Sequence, residues 1–134
     1  MAKGSRGGKV GNSNNLSHSD RIKNDYGDLF KGRENTELYP EELKAKYNLT
    51  EAEENDFLNY QKRQTAQIIR AGLGEYNYGG TNYNLEKTSE SYLPKGAIEE
   101  KRKRERALKM AQLHYDGKIF NELYLQAWRI KNKK

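Results

Sequence analysis

The sequence predicts a mostly α-helical small protein with an extended N-terminal arm, a Tyr/Asn/Gly-rich loop or hairpin, and a C-terminal helical hairpin. Leu, Ile, Val and Phe make up 23 of the 134 residues. This share, about 17%, is below the roughly 20% expected of a chain with a sizeable core. Ten tyrosines and a net charge of only +6 are nevertheless atypical of a fully disordered chain. Several segments also carry helix start and stop signals.

The first segment, residues 1–20, is rich in Gly, Ser and Asn with scattered bases. Ordering such a backbone costs about 1 to 2 kcal/mol per residue, and only two large apolar side chains could be buried in return. We therefore expect a flexible basic arm. Lys3, Arg6 and Lys9 are its candidate contacts to nucleic acid. The alternative is a terminus that only improves solubility.

Residues 21–73 form the predicted helical region. Apolar residues between 21 and 37 recur at spacings of three and four, which indicates a short helix. Pro40, followed by two acids, begins a second helix. Proline fits the first turn of a helix, and acids favour the positive end of the helix dipole.

The third helix of this region has the clearest signals. Thr50 and Glu53 form a capping box, in which each side chain can accept a hydrogen bond from the backbone amide of the other residue. They predict a helix over residues 51–71, ended by a glycine. Its apolar face is interrupted by Gln61 and Gln64.

Residues 74–96 are rich in Tyr, Asn and Gly. With the glycines at 79–80 as a two-residue turn, Tyr76 would lie opposite Tyr83 in an antiparallel pair. A single hairpin is only marginally stable in water. The segment is therefore predicted either as a hairpin or as an irregular loop that is stabilised by contacts. Tyr76, Tyr83 and Tyr78 are the candidate partner-binding residues.

Residues 97–134 form the predicted basic helical hairpin. One helix should extend to Tyr115, and a second should run from Ile119 to Ile130 after a break at an Asp-Gly pair. We expect their apolar faces to pack on each other. From residue 95 onward the chain holds twelve bases and five acids, so its basic character lies in these last forty residues.

The hexamer KRKRER, at residues 101–106, has five bases in six positions. At about 100° per residue its side chains surround the helix, so we expect no face of it to be core. We interpret it as a polyanion-binding segment. The alternatives are a solvated helix with internal charge pairs and a docking site for an acidic protein. The predicted nucleic-acid-binding residues are Lys101, Arg102, Lys103, Arg104, Arg106, Lys131, Lys133 and Lys134, with Lys3, Arg6 and Lys9 of the arm.

Motifs for catalysis or metal binding are not found in the sequence. It has no cysteine, no phosphate-binding glycine loop and no nucleophile motif. A calcium loop centred on Gly117 would place Leu123 where a bidentate Glu is required. His18 and His114 lack the spacing of a metal site. We expect no enzymatic activity, no metal, no cofactor and no membrane segment, and the sequence does not indicate an oligomeric state.

The function expected from these features is that of a non-enzymatic accessory or structural component of a larger nucleoprotein or virus-particle-like assembly. It would contact nucleic-acid phosphates, of RNA or DNA, and neighbouring proteins. Its location would be the cytoplasm, for example on ribosomes, or a virus particle. The alternative is a small inhibitor or adaptor that binds one enzyme or effector. A small nuclease or toxin is the third hypothesis and has the least support.

Overall fold

The computed structural model describes residues 16–133, and most of that range is helical. Its α-helices are α1 (His18–Tyr26), α2 (Pro40–Tyr47), α3 (Glu51–Ala71), α4 (Lys95–Tyr115) and α5 (Glu122–Asn132). Its strands are β1 (Glu37–Leu38), β2 (Glu75–Tyr78), β3 (Thr81–Asn84) and β4 (Phe120–Asn121). Two 3-10 turns lie at Gly27–Phe30 and Glu90–Tyr92. The protein is thus mostly α-helical, as predicted.

The central helix is α3, which contacts both α4 and α5. At its start the Thr50 hydroxyl oxygen accepts a hydrogen bond from the Glu53 amide at 3.1 Å. The Glu53 carboxylate in turn accepts one from the Thr50 amide at 2.9 Å. Gly72 ends the helix with a φ of 61°, in the left-handed region that favours glycine. The capping box and the predicted helix over residues 51–71 are therefore confirmed.

The inner face of α3 is lined by Phe57, Gln61 and Thr65, which are all fully buried. The ring of Phe57 lies 5.6 Å from that of Phe120 and 5.9 Å from that of Trp128, between centroids. The expectation that Gln61 interrupts the apolar face is only partly right. Gln61 is polar, but it lies at the buried centre of this face rather than at an exposed break in it.

Three small apolar clusters take the place of one large core. The first joins α2, α3 and α5, the second joins α1 and the first 3-10 turn to the end of α4, and the third joins the β2–β3 hairpin to the start of α4. Their buried members are Leu38, Leu43, Phe57, Phe120, Leu125 and Trp128 in the first, Ile22, Phe30, Met110, Leu113 and Ile119 in the second, and Leu85, Leu93 and Ala97 in the third. Clusters of this size agree with the low content of large apolar residues.

The segment before α2 differs from the single short helix expected between residues 21 and 37. The first helix already begins at His18, because the Ser17 hydroxyl caps it. It ends at Tyr26, where the chain passes into a 3-10 turn and then into β1, which pairs antiparallel with β4. A strand of two residues has no detectable periodicity, and its partner lies near the other end of the chain. The predicted boundary of the arm, after residue 20, falls inside α1.

The segment between α3 and α4 forms the antiparallel hairpin of β2 and β3, so the hairpin is the correct one of the two predicted alternatives. Tyr76 lies opposite Tyr83, in the predicted register. Gly79 and Gly80 form the turn with φ values of 61° and 86°. Such values match the turns that fit the twist of a hairpin, and side chains other than glycine rarely adopt them.

The two predicted C-terminal helices are present as α4 and α5, but the expectation that they pack mainly on each other is wrong. Each makes its extensive contacts with α3. Ile119, the expected start of the second helix, is instead a buried residue before β4. The Asn121 side-chain oxygen caps α5 by accepting a hydrogen bond from the Leu123 backbone amide at 2.8 Å. The Asn121 backbone amide donates a hydrogen bond to the Gln61 side-chain oxygen at 2.9 Å. Because α3 anchors this connection, α3 positions both helices.

Candidate nucleic-acid interface

The outer surface of α4 carries a row of four exposed basic side chains, which we call the basic ridge: Arg102, Lys103, Arg106 and Lys109. At about 100° and 1.5 Å per residue, they fall within an arc of about 120° and cover about 10 Å of the helix axis. Glu99 lies on the same face, one turn before the ridge, and is also exposed. Glu99 is thus the acid of α4 that borders the basic ridge, and the Glu90 carboxylate contacts its first member, Arg102.

Arg104 faces away from the basic ridge and holds the hairpin on α4. Its Nη1 donates to the carbonyl oxygens of Leu73 and Glu75 at 2.7 and 3.1 Å. Its Nε donates to the Glu100 carboxylate at 2.7 Å, and its guanidinium lies 5.4 Å from the centre of the Tyr76 ring. Arg104 was predicted to bind nucleic acid, but its guanidinium already has these partners within the chain. The sequence predicted that no face of the hexamer would be core; the structure covers the Arg104 face with the hairpin, and the Arg104 side chain stays 30% exposed.

Lys101 and Arg102 share an acidic partner, Glu90 in the second 3-10 turn. The Lys101 ammonium lies 3.7 Å from one Glu90 oxygen, and the Arg102 Nη2 lies 3.2 Å from the other. The Lys101 side chain is only 14% exposed, whereas that of Arg102 is 62% exposed. Lys101 is therefore held between α4 and the turn, while Arg102 stays accessible to a ligand as part of the basic ridge.

The bases at the C-terminus lie apart from the basic ridge. Lys131 is near the end of α5, with its ammonium 5.8 Å from the centre of the Tyr60 ring, and Lys133 is exposed beyond the helix. Arg104, on the hairpin side of α4, contacts Leu73 just beyond the end of α3, whereas Tyr60 lies eleven residues, or about 16 Å, before that end. The C-terminal basic residues therefore belong to a different helix from the basic ridge and lie along a different part of α3 from the Arg104 contact. Lys3, Arg6, Lys9 and Lys134 lie outside the described residues.

The tyrosines predicted to bind a partner instead make extensive contacts within the chain. Tyr76 and Tyr83 are half-buried against the third apolar cluster. The ring of Tyr78 stacks with that of Tyr76 at 6.2 Å and is 43% exposed. It also lies so close to Gly96 that a Cβ there would be 2.4 Å from the ring. Gly96 thus permits the hairpin to lie against the first turn of α4, and Tyr78 retains the most accessible ring surface of the three.

Two residues beside the hexamer were not predicted as candidates. Lys109 extends the basic ridge by one turn, and its spacing of three from Arg106 could have identified it. Tyr92, in the second 3-10 turn, is 79% exposed. No sequence signal distinguishes it from the other nine tyrosines, because its position beside α4 depends on the contacts of Glu90.

A second charged site joins α2 to α5 and has a structural role. Glu122, whose side chain is 10% exposed, lies 2.6 Å from the Lys46 ammonium and accepts a hydrogen bond from the Tyr47 hydroxyl. These two bonds lower the pKa of Glu122. The pKa of Lys46 is raised by its bond to Glu122, and that of Tyr47 is raised by burial and then by the same carboxylate. The site therefore acts as a charged link between two helices.

A third polar group is buried beneath β1 and β4. Glu37 forms a salt bridge with Arg33, with Oε1 and Nη2 3.1 Å apart, and its Oε2 lies 2.6 Å from His114 Nε2; both Glu37 and His114 are buried. Tyr124 packs edge-on against the His114 ring at 5.9 Å. A neighbouring cavity of about 290 Å³ is lined in part by Glu37 and Ile119. Because these polar groups are partners of one another, the network joins the N-terminal segment to α4.

Two further features of residues 16–133 bear on the chemistry of the protein. No group of three His, Cys, Asp or Glu side chains in that range is arranged to hold a metal ion. Among the helices of the same range, none has the length and apolar character needed to cross a membrane. Comparisons of the chain with protein-family models, curated proteins and solved structures found no significant match.

Proposed function

We propose that this protein is a non-enzymatic accessory or structural component of a nucleoprotein assembly, such as a ribosome-like or virus-like particle, and that its basic ridge contacts nucleic-acid phosphates. The observation that carries this proposal is the exposure of four basic residues on one face of α4. Lys101 and Arg104 of the same hexamer are held by partners within the chain, whereas Arg102 stays 62% exposed although it contacts Glu90. The charge is thereby concentrated on one surface.

The spacing of the basic ridge suits a polyanion with a regular charge repeat. Its length of about 10 Å corresponds to about three base-pair steps, at 3.4 Å each, along the axis of a duplex. Each phosphate neutralised by a lysine or arginine releases condensed counterions, so the affinity falls as the salt concentration rises. The ridge side chains lie outside the three apolar clusters. Their replacement should therefore leave the fold intact.

The test compares two double variants that each remove one lysine and one arginine. Lys103→Gln/Arg106→Gln changes the basic ridge, and Lys44→Gln/Arg63→Gln removes the same charge from exposed positions on α2 and α3. Binding to a fluorescently labelled duplex is measured by anisotropy across a range of salt concentrations. If both ridge contacts are lost, we expect the slope of log affinity against log salt to flatten by about 1.8, at about 0.9 per phosphate.

The control variant should keep the wild-type slope, with only a small uniform loss of affinity from its lower net charge. Equal losses for both variants would show that net charge alone governs binding, which would contradict a ridge-specific contact. An unchanged affinity and slope for the ridge variant would contradict the proposal in the same way. Circular dichroism and urea unfolding of both variants test whether they remain folded.

A second candidate function, an adaptor that binds one protein, is favoured by the outer face of α5. Leu123 and Ile130 are 58% and 75% exposed, and their spacing of seven places them on one side of the helix, with the exposed Ala127 between them. An adaptor should retain one stoichiometric protein partner after nuclease treatment. Leu123→Gln/Ile130→Gln should release that partner, and the ridge variant should not. Loss of every partner on nuclease treatment would instead support the nucleic-acid proposal.

A further inference from the structure

We infer that the nucleic acid at the basic ridge is single-stranded, and that Tyr92 stacks on one of its unpaired bases. This inference rests on the proposed function and names the class of ligand. Tyr92 is 79% exposed, the highest value among the exposed large hydrophobic residues of the described range. It belongs to the 3-10 turn that contacts the N-terminal end of the ridge through Glu90 and Arg102.

The turn that carries Tyr92 is fixed at both ends. On one side Glu90 contacts Arg102 at 3.2 Å and Lys101 at 3.7 Å. On the other side Leu93 is buried in the third apolar cluster. The Tyr92 amide also donates to the Ser89 carbonyl oxygen at 2.9 Å. The backbone below the exposed ring is therefore held in place before a ligand binds, which reduces the entropy lost on binding.

The faces of the Tyr92 ring are accessible, in contrast to those of several other tyrosines. The Tyr76 ring contacts Arg104 and Tyr78, and the Tyr115 ring has the Lys62 ammonium 5.6 Å from its centre. Among residues 16–133, no aromatic ring or cation stacks on Tyr92. An exposed aromatic ring close to lysine and arginine side chains that can bind phosphates is the arrangement typical of proteins that bind single strands.

The geometry favours a single strand over a duplex. In a duplex each base is stacked on both faces by its neighbours, so a side chain at the surface cannot reach a base face without unstacking the helix. An unpaired base in a single strand can rotate out and stack on an aromatic ring. The basic ridge would then bind the phosphates next to that unpaired base in the same strand. Single-stranded RNA and DNA share this chemistry.

The experiment separates base stacking from phosphate binding. Wild-type protein, Tyr92→Ala and Tyr115→Ala are titrated with labelled oligo-dT, with oligo-rU, and with an abasic oligomer of the same length. For the wild type we expect dT and rU to bind more tightly than the abasic strand. Tyr92→Ala should weaken dT and rU binding by roughly 5- to 150-fold, the range for the loss of one stacked base. It should leave abasic binding unchanged, and Tyr115→Ala should behave like the wild type.

The outcomes distinguish this inference from the function on which it rests. If the wild type binds the abasic strand as tightly as dT, and Lys103→Gln/Arg106→Gln weakens both, the phosphate contact stands and the stacking inference is overturned. Equal losses for Tyr92→Ala and Tyr115→Ala would overturn the assignment to Tyr92. If the wild type binds none of the strands and no duplex, both proposals fail. Unequal affinities for rU and dT would identify the preferred strand.

Discussion

Replacement of Gln61 by methionine tests whether one buried amide joins α3 to the connection between α4 and α5. The Gln61 Nε2 donates to the carbonyl oxygens of His114 and Ile119 at 2.6 and 3.1 Å. Its Oε1 accepts from the Asn121 amide at 2.9 Å. Methionine has a similar length and fills the same space, but it cannot form these three hydrogen bonds. The substitution therefore removes polar partners with little change in packing.

The expected loss of stability follows from the groups left without partners. The His114 carbonyl keeps a hydrogen bond from the Gly117 amide at 3.1 Å. The Ile119 carbonyl and the Asn121 amide, which belong to buried residues, lose the partner that Gln61 supplies. An unsatisfied buried group costs about 1 to 3 kcal/mol, so two cost about 2 to 6 kcal/mol. This is a large part of a typical free energy of unfolding of about 5 to 15 kcal/mol.

The assay is urea unfolding followed by fluorescence of Trp128, the only tryptophan in the chain. With a typical m-value of about 2 kcal/mol per molar urea, the midpoint should fall by about 1 to 3 M. The matched control is Gln64→Met, at an exposed position of the same helix, which should change stability by no more than about 0.5 kcal/mol. A loss below about 1 kcal/mol for Gln61→Met, or one equal to that of the control, would refute the reasoning.

Three further predictions concern other contacts. Thr50→Ala should lower the free energy of unfolding by about 1 kcal/mol through loss of the α3 cap, measured by urea unfolding. Arg104→Ala should speed amide exchange in residues 75–84 more than in α3, whereas Arg106→Ala should leave that exchange unchanged. Because the pKa of Glu122 is lowered on folding, its charge stabilises the protein above the usual glutamate pKa of about 4.3. This contribution should disappear as the pH falls further, so unfolding curves of wild type and Glu122→Gln should converge at low pH.

Local signals predicted the elements whose structure depends on neighbouring residues. The capping box fixed the start of α3, because its two hydrogen bonds join residues only three positions apart. The Gly79-Gly80 turn fixed the hairpin register for the same reason, since the conformation of two glycines aligns the strands on either side. The concentration of bases in the last forty residues was also evident from the sequence.

Long-range contacts decided what these local signals could not. The partner of Gln61 is a connection more than fifty positions away, so the sequence showed an interruption where the structure has a buried junction. The same is true of the hexamer. Its composition does not reveal that the hairpin binds Arg104 and that Glu90 binds Lys101.

The sequence by itself determined that the chain is mostly helical, where α3 begins and ends, which register a hairpin at residues 74–96 would have, and which segment carries most of the positive charge. That this segment forms a hairpin and not an irregular loop was decided by the structure. Only the tertiary structure decided that α3 is the common packing partner of α4 and α5, and that the basic ridge consists of Arg102, Lys103, Arg106 and Lys109. The physical reason is the distance in sequence between the residues that contact each other. Caps and turns are fixed by hydrogen bonds between near neighbours, whereas the exposed face of a charged helix depends on which distant side chains pack against the other face.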